Sequence, residues 1–234
     1  MGGSAGRLAL GKGRGLRPDD AFRAASVTKS VSAAVAVRLA CEGRLSLDEP
    51  LADQLSRGLL ERWRALDTLR RATPRQLLAH TAGLPNYFAD EAFHARVREA
   101  PGRAWRAVEL VDHAAAHATP SFASGEGFGY SDTGYVVVGM LVEQVTGRPL
   151  HQVYRELVFD PLGMERTWLE GHEPARTRDV AHHYSGGVDW ARISPTIDWA
   201  GGGLVTTAPD LARFVRALWS ERIVDRRGLQ ELTR

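Results

Sequence analysis

A long apolar segment, residues 31–41, constrains the fold of this chain more than any other feature. It reads Val-Ser-Ala-Ala-Val-Ala-Val-Arg-Leu-Ala-Cys and is apolar on nearly every side, which predicts a helix buried inside a domain rather than one lying on its surface. Gly43 follows the segment and is suited to end the helix. Other elements must therefore pack around this helix.

The tetrad Ser26-Val27-Thr28-Lys29 stands just before the apolar segment. At a helix start, this spacing puts the serine hydroxyl and the lysine amine on one face of the first turn. One interpretation is a nucleophile and its base, because the helix N-terminus and the apolar packing both disfavour an ammonium there. The other is a serine that caps the helix and a solvated lysine, which the tetrad alone favours.

Composition excludes several classes of function. With 234 residues, 44% of them hydrophobic, the chain is expected to form a single domain over residues 1–234. A net charge of +2 gives no support for nucleic-acid binding. The eight histidines lack the spacing of known metal sites, so we expect neither a metal nor a cofactor. Cys41, the single cysteine, is expected to be a small buried hydrophobe.

No apolar stretch is as long as a membrane span, and residues 1–7 lack the apolar core of a signal peptide. The sequence therefore predicts a cytoplasmic protein without a membrane span, or an exported one if the native N-terminus lies outside residues 1–234. Oligomeric state cannot be predicted from these features.

Helix start and stop signals recur along the chain. Thr73-Pro74-Arg75-Gln76 has the pattern of a helix N-terminus. Further helices are predicted over residues 91–117, 133–146, 151–158 and beyond 207, with a short strand at 204–206. Between them, residues 124–130 read Ser-Gly-Glu-Gly-Phe-Gly-Tyr, a glycine-dense loop of the kind that allows close approach of a ligand.

Five segments in this order resemble the serine β-lactamase and penicillin-binding-protein superfamily, closest to its class C branch with the related esterases and D-alanyl-D-alanine carboxypeptidases. They are residues 22–30 (Phe-Arg-Ala-Ala-Ser-Val-Thr-Lys-Ser), 77–85 (Leu-Leu-Ala-His-Thr-Ala-Gly-Leu-Pro), 130–135 (Tyr-Ser-Asp-Thr-Gly-Tyr), 161–164 (Pro-Leu-Gly-Met) and 201–207 (Gly-Gly-Gly-Leu-Val-Thr-Thr). Each segment alone is a weak signal, and the five together are specific.

The resemblance implies a fold and a mechanism. The fold is of the α/β (α+β) class, β-lactamase/transpeptidase-like, with a helical lobe packed on a reduced antiparallel sheet. Ser26 would attack a carbonyl to form an acyl-enzyme, and Lys29 with Tyr130 would move the proton to the leaving group. Ser131 and Asp132 would contact the substrate, a small ester or amide.

Two departures from the family pattern affect these expectations. Asp132 stands where the family usually has asparagine; an ionised aspartate only accepts hydrogen bonds, which favours simple esters or small amides over β-lactams. The family's third motif, a Lys, His or Trp followed one residue later by glycine on an edge strand, is not found. We therefore expect a domain that lacks C-terminal strands and some of the N-terminal sheet.

Two functions from different classes remain open. The first is a serine hydrolase with esterase or D-Ala-D-Ala carboxypeptidase-like activity, and with β-lactamase activity less expected. The second is a non-catalytic or truncated relative that binds a ligand or a partner. Retention of Ser26, Lys29 and Tyr130 favours the hydrolase, whereas the missing strands favour the binding protein.

Overall fold

The computed structural model describes residues 5–117 and 119–233. The α-helices are α1 (Thr28–Cys41), α2 (Leu51–Gln54), α3 (Arg57–Arg62), α4 (Asp67–Arg71), α5 (Pro74–Leu78), α6 (Glu91–Glu99), α7 (Ala107–His117), α8 (Asp132–Thr146), α9 (Leu150–Tyr154), α10 (Trp199–Gly202), α11 (Ala208–Trp219) and α12 (Arg226–Leu232). Short 3-10 turns lie at Ala25–Val27, Tyr87–Ala89, Trp190–Arg192 and Pro195–Ile197, and one π-helical turn lies at Arg155–Phe159.

The strands are short and form three small sheets. They are β1 (Arg7–Ala9), β2 (Lys12–Gly15), β3 (Ala21–Arg23), β4 (Trp168–Leu169), β5 (Val180–Ala181), β6 (Tyr184–Ser185), β7 (Val188–Asp189) and β8 (Leu204–Thr206). The largest sheet has the order β4-β8-β3-β5, while β1 pairs with β2 and β6 with β7. The predicted fold, a helical lobe on a reduced antiparallel sheet, is confirmed, with β5 added parallel to β3.

Helix α1 is the centre of the helical lobe. Val31, Ala34, Val35 and Leu39 are completely buried, and the helix packs against α8, α10 and α12. Burial on all sides explains why this segment has no polar face. The prediction of a buried central helix is therefore confirmed.

Two local predictions were wrong. Cys41 is exposed, because it is the last residue of α1, where the helix leaves the core. The single helix predicted over residues 91–117 is instead α6 and α7. Pro101 and Gly102 lie in the gap between them, and proline cannot donate the hydrogen bond that a continuous helix requires.

The sheet determines where α1 begins. Phe22 of β3 pairs with Thr206 of β8, and the chain passes from β3 through the Ala25–Val27 turn directly into α1. Thr28 accepts a hydrogen bond on Oγ1 from the backbone N–H of Leu204 at 3.2 Å. The start of α1 is thus attached to β8 as well as to β3. None of the helices in the described residues is both long and apolar enough to cross a bilayer.

Candidate active site

Ser26 lies in the 3-10 turn that joins β3 to α1, and it is exposed to solvent. The residue before it, Ala25, has a φ of +45°. A left-handed backbone is costly for a residue with a side chain, by about 1–2 kcal/mol. Such strain is maintained where the surrounding structure fixes the backbone, often at functional sites. The turn therefore presents the Ser26 hydroxyl at the surface.

Lys29 is buried one turn further along, with its amine directed at three oxygen atoms. Its Nζ lies 2.5 Å from Asp132 Oδ1, 2.7 Å from the Gly201 carbonyl oxygen and 3.3 Å from Ser26 Oγ. The ion pair with Asp132 is nearly inaccessible, with side-chain exposures of 8% and 13%. An exposed hydroxyl thus contacts a buried, fixed amine.

Tyr130 reaches the same hydroxyl from the glycine-dense loop. Its phenol donates to Ser26 Oγ at 2.8 Å, and its ring centroid lies 5.0 Å from Lys29 Nζ. The ring packs against His80, whose centroid is 4.4 Å away. His80 has a φ of +58°, and its Nδ1 accepts the backbone N–H of Ser131 at 3.2 Å. His80 therefore holds both the ring of Tyr130 and the backbone beside it.

The face of α1 that carries Lys29 also holds the short helix α10. Ser32 donates to the Ala200 carbonyl at 2.7 Å and hydrogen-bonds the Tyr154 hydroxyl at 2.6 Å. Lys29 contacts the next carbonyl, that of Gly201. Side chains of one helical face therefore bind consecutive carbonyl groups of α10. This arrangement fixes α10 relative to Ser26.

Close packing of α8 against α10 requires a glycine. A Cβ at Gly139 would lie 2.6 Å from the Ala200 Cβ and 2.9 Å from the Trp199 ring. Trp199 itself has a φ of +34°. Among the non-glycine residues described, Ala25, His80 and Trp199 thus have a positive φ and adjoin the site. Backbone strain is concentrated around the Ser26 hydroxyl.

The structure brings together Ser26, Lys29, Tyr130 and Asp132 but not the Ser131 hydroxyl. Ser131 is 4% exposed and donates to the Pro85 carbonyl at 3.3 Å. Although it precedes α8, its side chain forms no capping hydrogen bond. Its contact is with the chain interior, so its predicted role in substrate binding gains no support from its position.

Burial controls the charge of groups around Ser26. It lowers the pKa of His80, and the nearby Lys29 charge lowers it further. Burial also raises the pKa of Tyr135, whose ring faces Lys29 at 5.5 Å, to about 12. His80 and Tyr135 are therefore uncharged at neutral pH. The charged groups closest to the Ser26 hydroxyl are those of the Lys29–Asp132 pair.

A less regular region, residues 170–198, borders the site on the other side. We call it the 170–198 segment. Arg23 of β3 attaches it through an ion pair with Glu170 at 2.7 Å and hydrogen bonds to the Trp190 and Ile193 carbonyls. The segment ends at Asp198, where burial, with a smaller contribution from Asp132, raises the pKa to about 7.

Sequence reasoning missed His80 and Asp198. His80 lies within the segment 77–85 that contributed to the resemblance, so the sequence indicated that this segment belongs to the family pattern, but no role was predicted for His80 itself. Asp198 had no such signal, because its proximity to the site depends on the folding of the 170–198 segment. Across residues 5–117 and 119–233, no group of three or more acidic, histidine or cysteine side chains is arranged to hold a metal ion.

Comparisons with known proteins identify the family of this chain. The family model described as Beta-lactamase matches residues 2–234. Esterase EstB of Burkholderia gladioli is 37% identical over 170 residues, covering 70% of this chain and 42% of the relative. Penicillin-binding protein 4 of Amycolatopsis lactamdurans is 27% identical, covering 91% of this chain and 54% of its own length. The chain thus spans about half the length of the curated relatives it matches.

Solved structures give the same result. The D-stereospecific amidohydrolase from Streptomyces sp. superposes with a TM-score of 0.82 at 34% identity, covering 91% of this chain and 64% of that one. The D-amino acid amidase from Ochrobactrum anthropi SV3, complexed with L-phenylalanine amide, has a TM-score of 0.80 at 29% identity, covering 96% of this chain and 63% of that one. The fold, the ordered segments and the family match lead to one conclusion: this chain belongs to the beta-lactamase family.

Proposed function

We propose that this chain is a serine hydrolase that cleaves small esters or amides through an acyl-enzyme on Ser26. One observation carries the proposal: Ser26 Oγ lies within hydrogen-bonding distance of both Tyr130 and Lys29, at 2.8 and 3.3 Å. Two groups able to exchange protons therefore meet one solvent-exposed hydroxyl, the arrangement that activates a nucleophile.

The contacts around Lys29 support the role of base that we propose for it. Asp132 Oδ1 and the Gly201 carbonyl each accept one N–H from Nζ, at 2.5 and 2.7 Å. Once the Lys29 ammonium has released one proton to solvent, the neutral amine keeps one N–H on each of these two acceptors, and its lone pair faces Ser26. The amine then accepts the proton of the Ser26 hydroxyl as that oxygen attacks the substrate carbonyl.

Tyr130 completes the proton path. When the tetrahedral intermediate collapses, the Tyr130 hydroxyl gives its proton to the leaving group and recovers one that Lys29 took from Ser26. Water then attacks the acyl ester and releases the acid, with the proton returned to Ser26. The Ser26 N–H, near the start of a 3-10 turn where early N–H groups lack intrahelical acceptors, is suited to stabilise the oxyanion.

The type of substrate is inferred from Asp132 and from the relatives. Asp132 offers no N–H to a substrate amide, which favours esters and simple amides over β-lactams. Relatives named as an esterase, as penicillin-binding proteins and as D-amino acid amidases support an ester or amide substrate. Esterase or D-Ala-D-Ala carboxypeptidase-like activity is therefore proposed ahead of β-lactamase activity.

A parallel substrate screen tests this proposal. Short-chain p-nitrophenyl esters, D-phenylalanine amide, a D-Ala-D-Ala peptide and a chromogenic cephalosporin are each incubated with the wild type and with Ser26→Ala. We expect Ser26-dependent turnover, fastest on an ester. Turnover that persists in Ser26→Ala, or that is fastest on the cephalosporin, would contradict the proposal.

A further inference from the structure

Asp198 is a carboxylate at the border of the site that the proposed mechanism does not use. Two consecutive glycines of α10, Gly201 and Gly202, lie against the acidic side chains of Asp132 and Asp198, respectively. A Cβ at Gly201 would lie 3.4 Å from Asp132 Oδ1 and 3.5 Å from Lys29 Nζ, and a Cβ at Gly202 would lie 3.4 Å from Asp198 Oδ1. Neighbouring positions of one short helix thus contact the Lys29–Asp132 pair and Asp198.

The backbone at Asp198 is fixed on both sides. Tyr87, which is fully buried, donates its hydroxyl to the carbonyl of Ile197 at 2.6 Å. The carbonyl of Asp198 accepts the N–H groups of Gly201 and Gly202 at 2.8 and 3.1 Å. The carboxylate is therefore held in place beside the site by a rigid support.

No structural role accounts for this carboxylate. Asp198 precedes α10, yet its side chain makes no capping hydrogen bond. In residues 5–117 and 119–233 its carboxylate forms no hydrogen bond or ion pair, although it is partly buried. Because its oxygens are not among the fully buried atoms without a partner, solvent reaches them. A cation on a ligand can therefore replace that water.

The charges around Asp198 leave one negative charge unbalanced. Asp132 is paired with Lys29 at 2.5 Å, and Glu170 is paired with Arg23 at 2.7 Å. Burial and the charge of Asp132 raise the pKa of Asp198 to about 7. Burial raises the pKa of Tyr87 and lowers that of His172, which lies against Trp199, so neither is charged at neutral pH. A ligand cation would balance the charge and favour the ionised carboxylate.

We propose that Asp198 binds an ammonium group on the acyl part of the substrate, so that the preferred substrates are esters or amides of amino acids. This inference rests on the proposed acyl transfer at Ser26. Tyr130, which would protonate the leaving group, comes from the 124–130 loop, whereas Asp198 comes from the 170–198 segment. Because the two residues come from different parts of the chain, the leaving group can lie near Tyr130 while the ammonium of the acyl part lies near Asp198.

The test compares two substrates that differ only by the ammonium. Phenylalanine methyl ester, as each enantiomer, and methyl 3-phenylpropanoate are hydrolysed by the full chain at about pH 7, where much of the amine is protonated. The wild type is expected to favour one amino ester in kcat/KM, and Asp198→Asn is expected to lower that preference about tenfold, mainly through KM. Hydrolysis of the propanoate is expected to stay unchanged.

Asp67→Asn is the matched control, because it removes the same charge from an exposed pair with Arg71 on α4. We expect it to leave the preference unchanged. A preference that is independent of residue 198, or an equal loss on both esters, would overturn the inference while the acyl transfer stands. Failure of the wild type to hydrolyse either ester or to form an acyl-enzyme on Ser26 would overturn both.

Discussion

The two sides of the site are built differently. On one side, Lys29 and Asp132 project from the long helices α1 and α8, are nearly inaccessible, and are joined by a 2.5 Å contact. On the other, the 170–198 segment has only two-residue strands, and its Tyr184 and Val188 are each 40% exposed. Helices fix side chains more accurately than loops do. The helical side is therefore suited to the reaction steps, and the 170–198 segment to substrate choice.

The two sides also differ in how completely their buried polar groups are hydrogen-bonded. Within the described residues, Nε1 of Trp190 and Nε2 of His172 are buried without a hydrogen-bond partner, and both belong to the 170–198 segment. The helical side instead joins Ser26, Lys29 and Asp132 in one connected network. A polar group left without its partner costs stability. Substitutions that break the connected network of the helical side should therefore lower the free energy of unfolding more than substitutions in the 170–198 segment do.

The largest effect is expected from Lys29→Met, which removes the amine and leaves Asp132 buried without a cation. We expect kcat to fall about a thousandfold and the free energy of unfolding to fall by about 3–5 kcal/mol. Steady-state kinetics and urea unfolding measure these losses. The double variant Lys29→Met/Asp132→Asn should recover stability but not activity, and recovery of activity would show that Lys29 is not the base.

A smaller effect is expected from Gly139→Ala, because the new methyl group would meet Ala200 at 2.6 Å. Overpacking of this kind costs about 1–3 kcal/mol and should also displace the Gly201 carbonyl that contacts Lys29. Gly134→Ala on the same helix is the control, since its nearest contact would be an ordinary 3.6 Å. Equal unfolding midpoints for the two variants would contradict the close α8–α10 packing.

Asp132→Asn tests the chemistry on the helical side with a modest change. The amide gains an N–H that a β-lactam or peptide carbonyl can accept. We expect the ratio of cephalosporin to ester kcat/KM to rise about tenfold, the value of one good hydrogen bond. Parallel rates on a p-nitrophenyl ester and a chromogenic cephalosporin measure the ratio. A wild type that already prefers the cephalosporin would contradict the role given to Asp132.

The smallest effect is expected in the 170–198 segment, from Asp198→Asn. Because the folded pKa of about 7 exceeds the ordinary value of 3.8, the folded state binds the proton more tightly. Wild-type stability should therefore fall, relative to the variant, as pH rises from 3.8 to about 7. At higher pH we expect the variant to be more stable by about 1 kcal/mol, a value reduced for partial exposure. Urea unfolding on both sides of this range measures the difference, and a constant difference would contradict the shift.

Much of the helical side could be predicted from sequence. The apolar segment 31–41 predicted α1, and the spacing of Ser26 and Lys29 predicted that their side chains come within reach of each other at the start of this helix. Asp132 was placed at the site by the resemblance, as a substrate contact, and the structure shows that it also pairs with Lys29. The helix itself depends on local periodicity, which a sequence displays directly.

The remainder depended on tertiary packing. Pro101 was visible as a helix breaker, but the helical pattern on both sides of it concealed the break. Cys41 was misjudged because apolar neighbours in sequence do not show where a helix leaves the core. Asp198 could not be found at all, since nothing local links it to Lys29. Its position emerges only once β3, β8 and α10 come together.

The most direct test of the central claim is intact-mass spectrometry after incubation with a fluorophosphonate probe. We predict one covalent adduct on the wild type, none on Ser26→Ala, and an unchanged adduct on Ser30→Ala, a control at an exposed neighbouring serine. Labelling of Lys29→Met should be far slower, because the hydroxyl lacks its base. An unlabelled wild type that is well folded, or an adduct that survives in Ser26→Ala, would contradict the account.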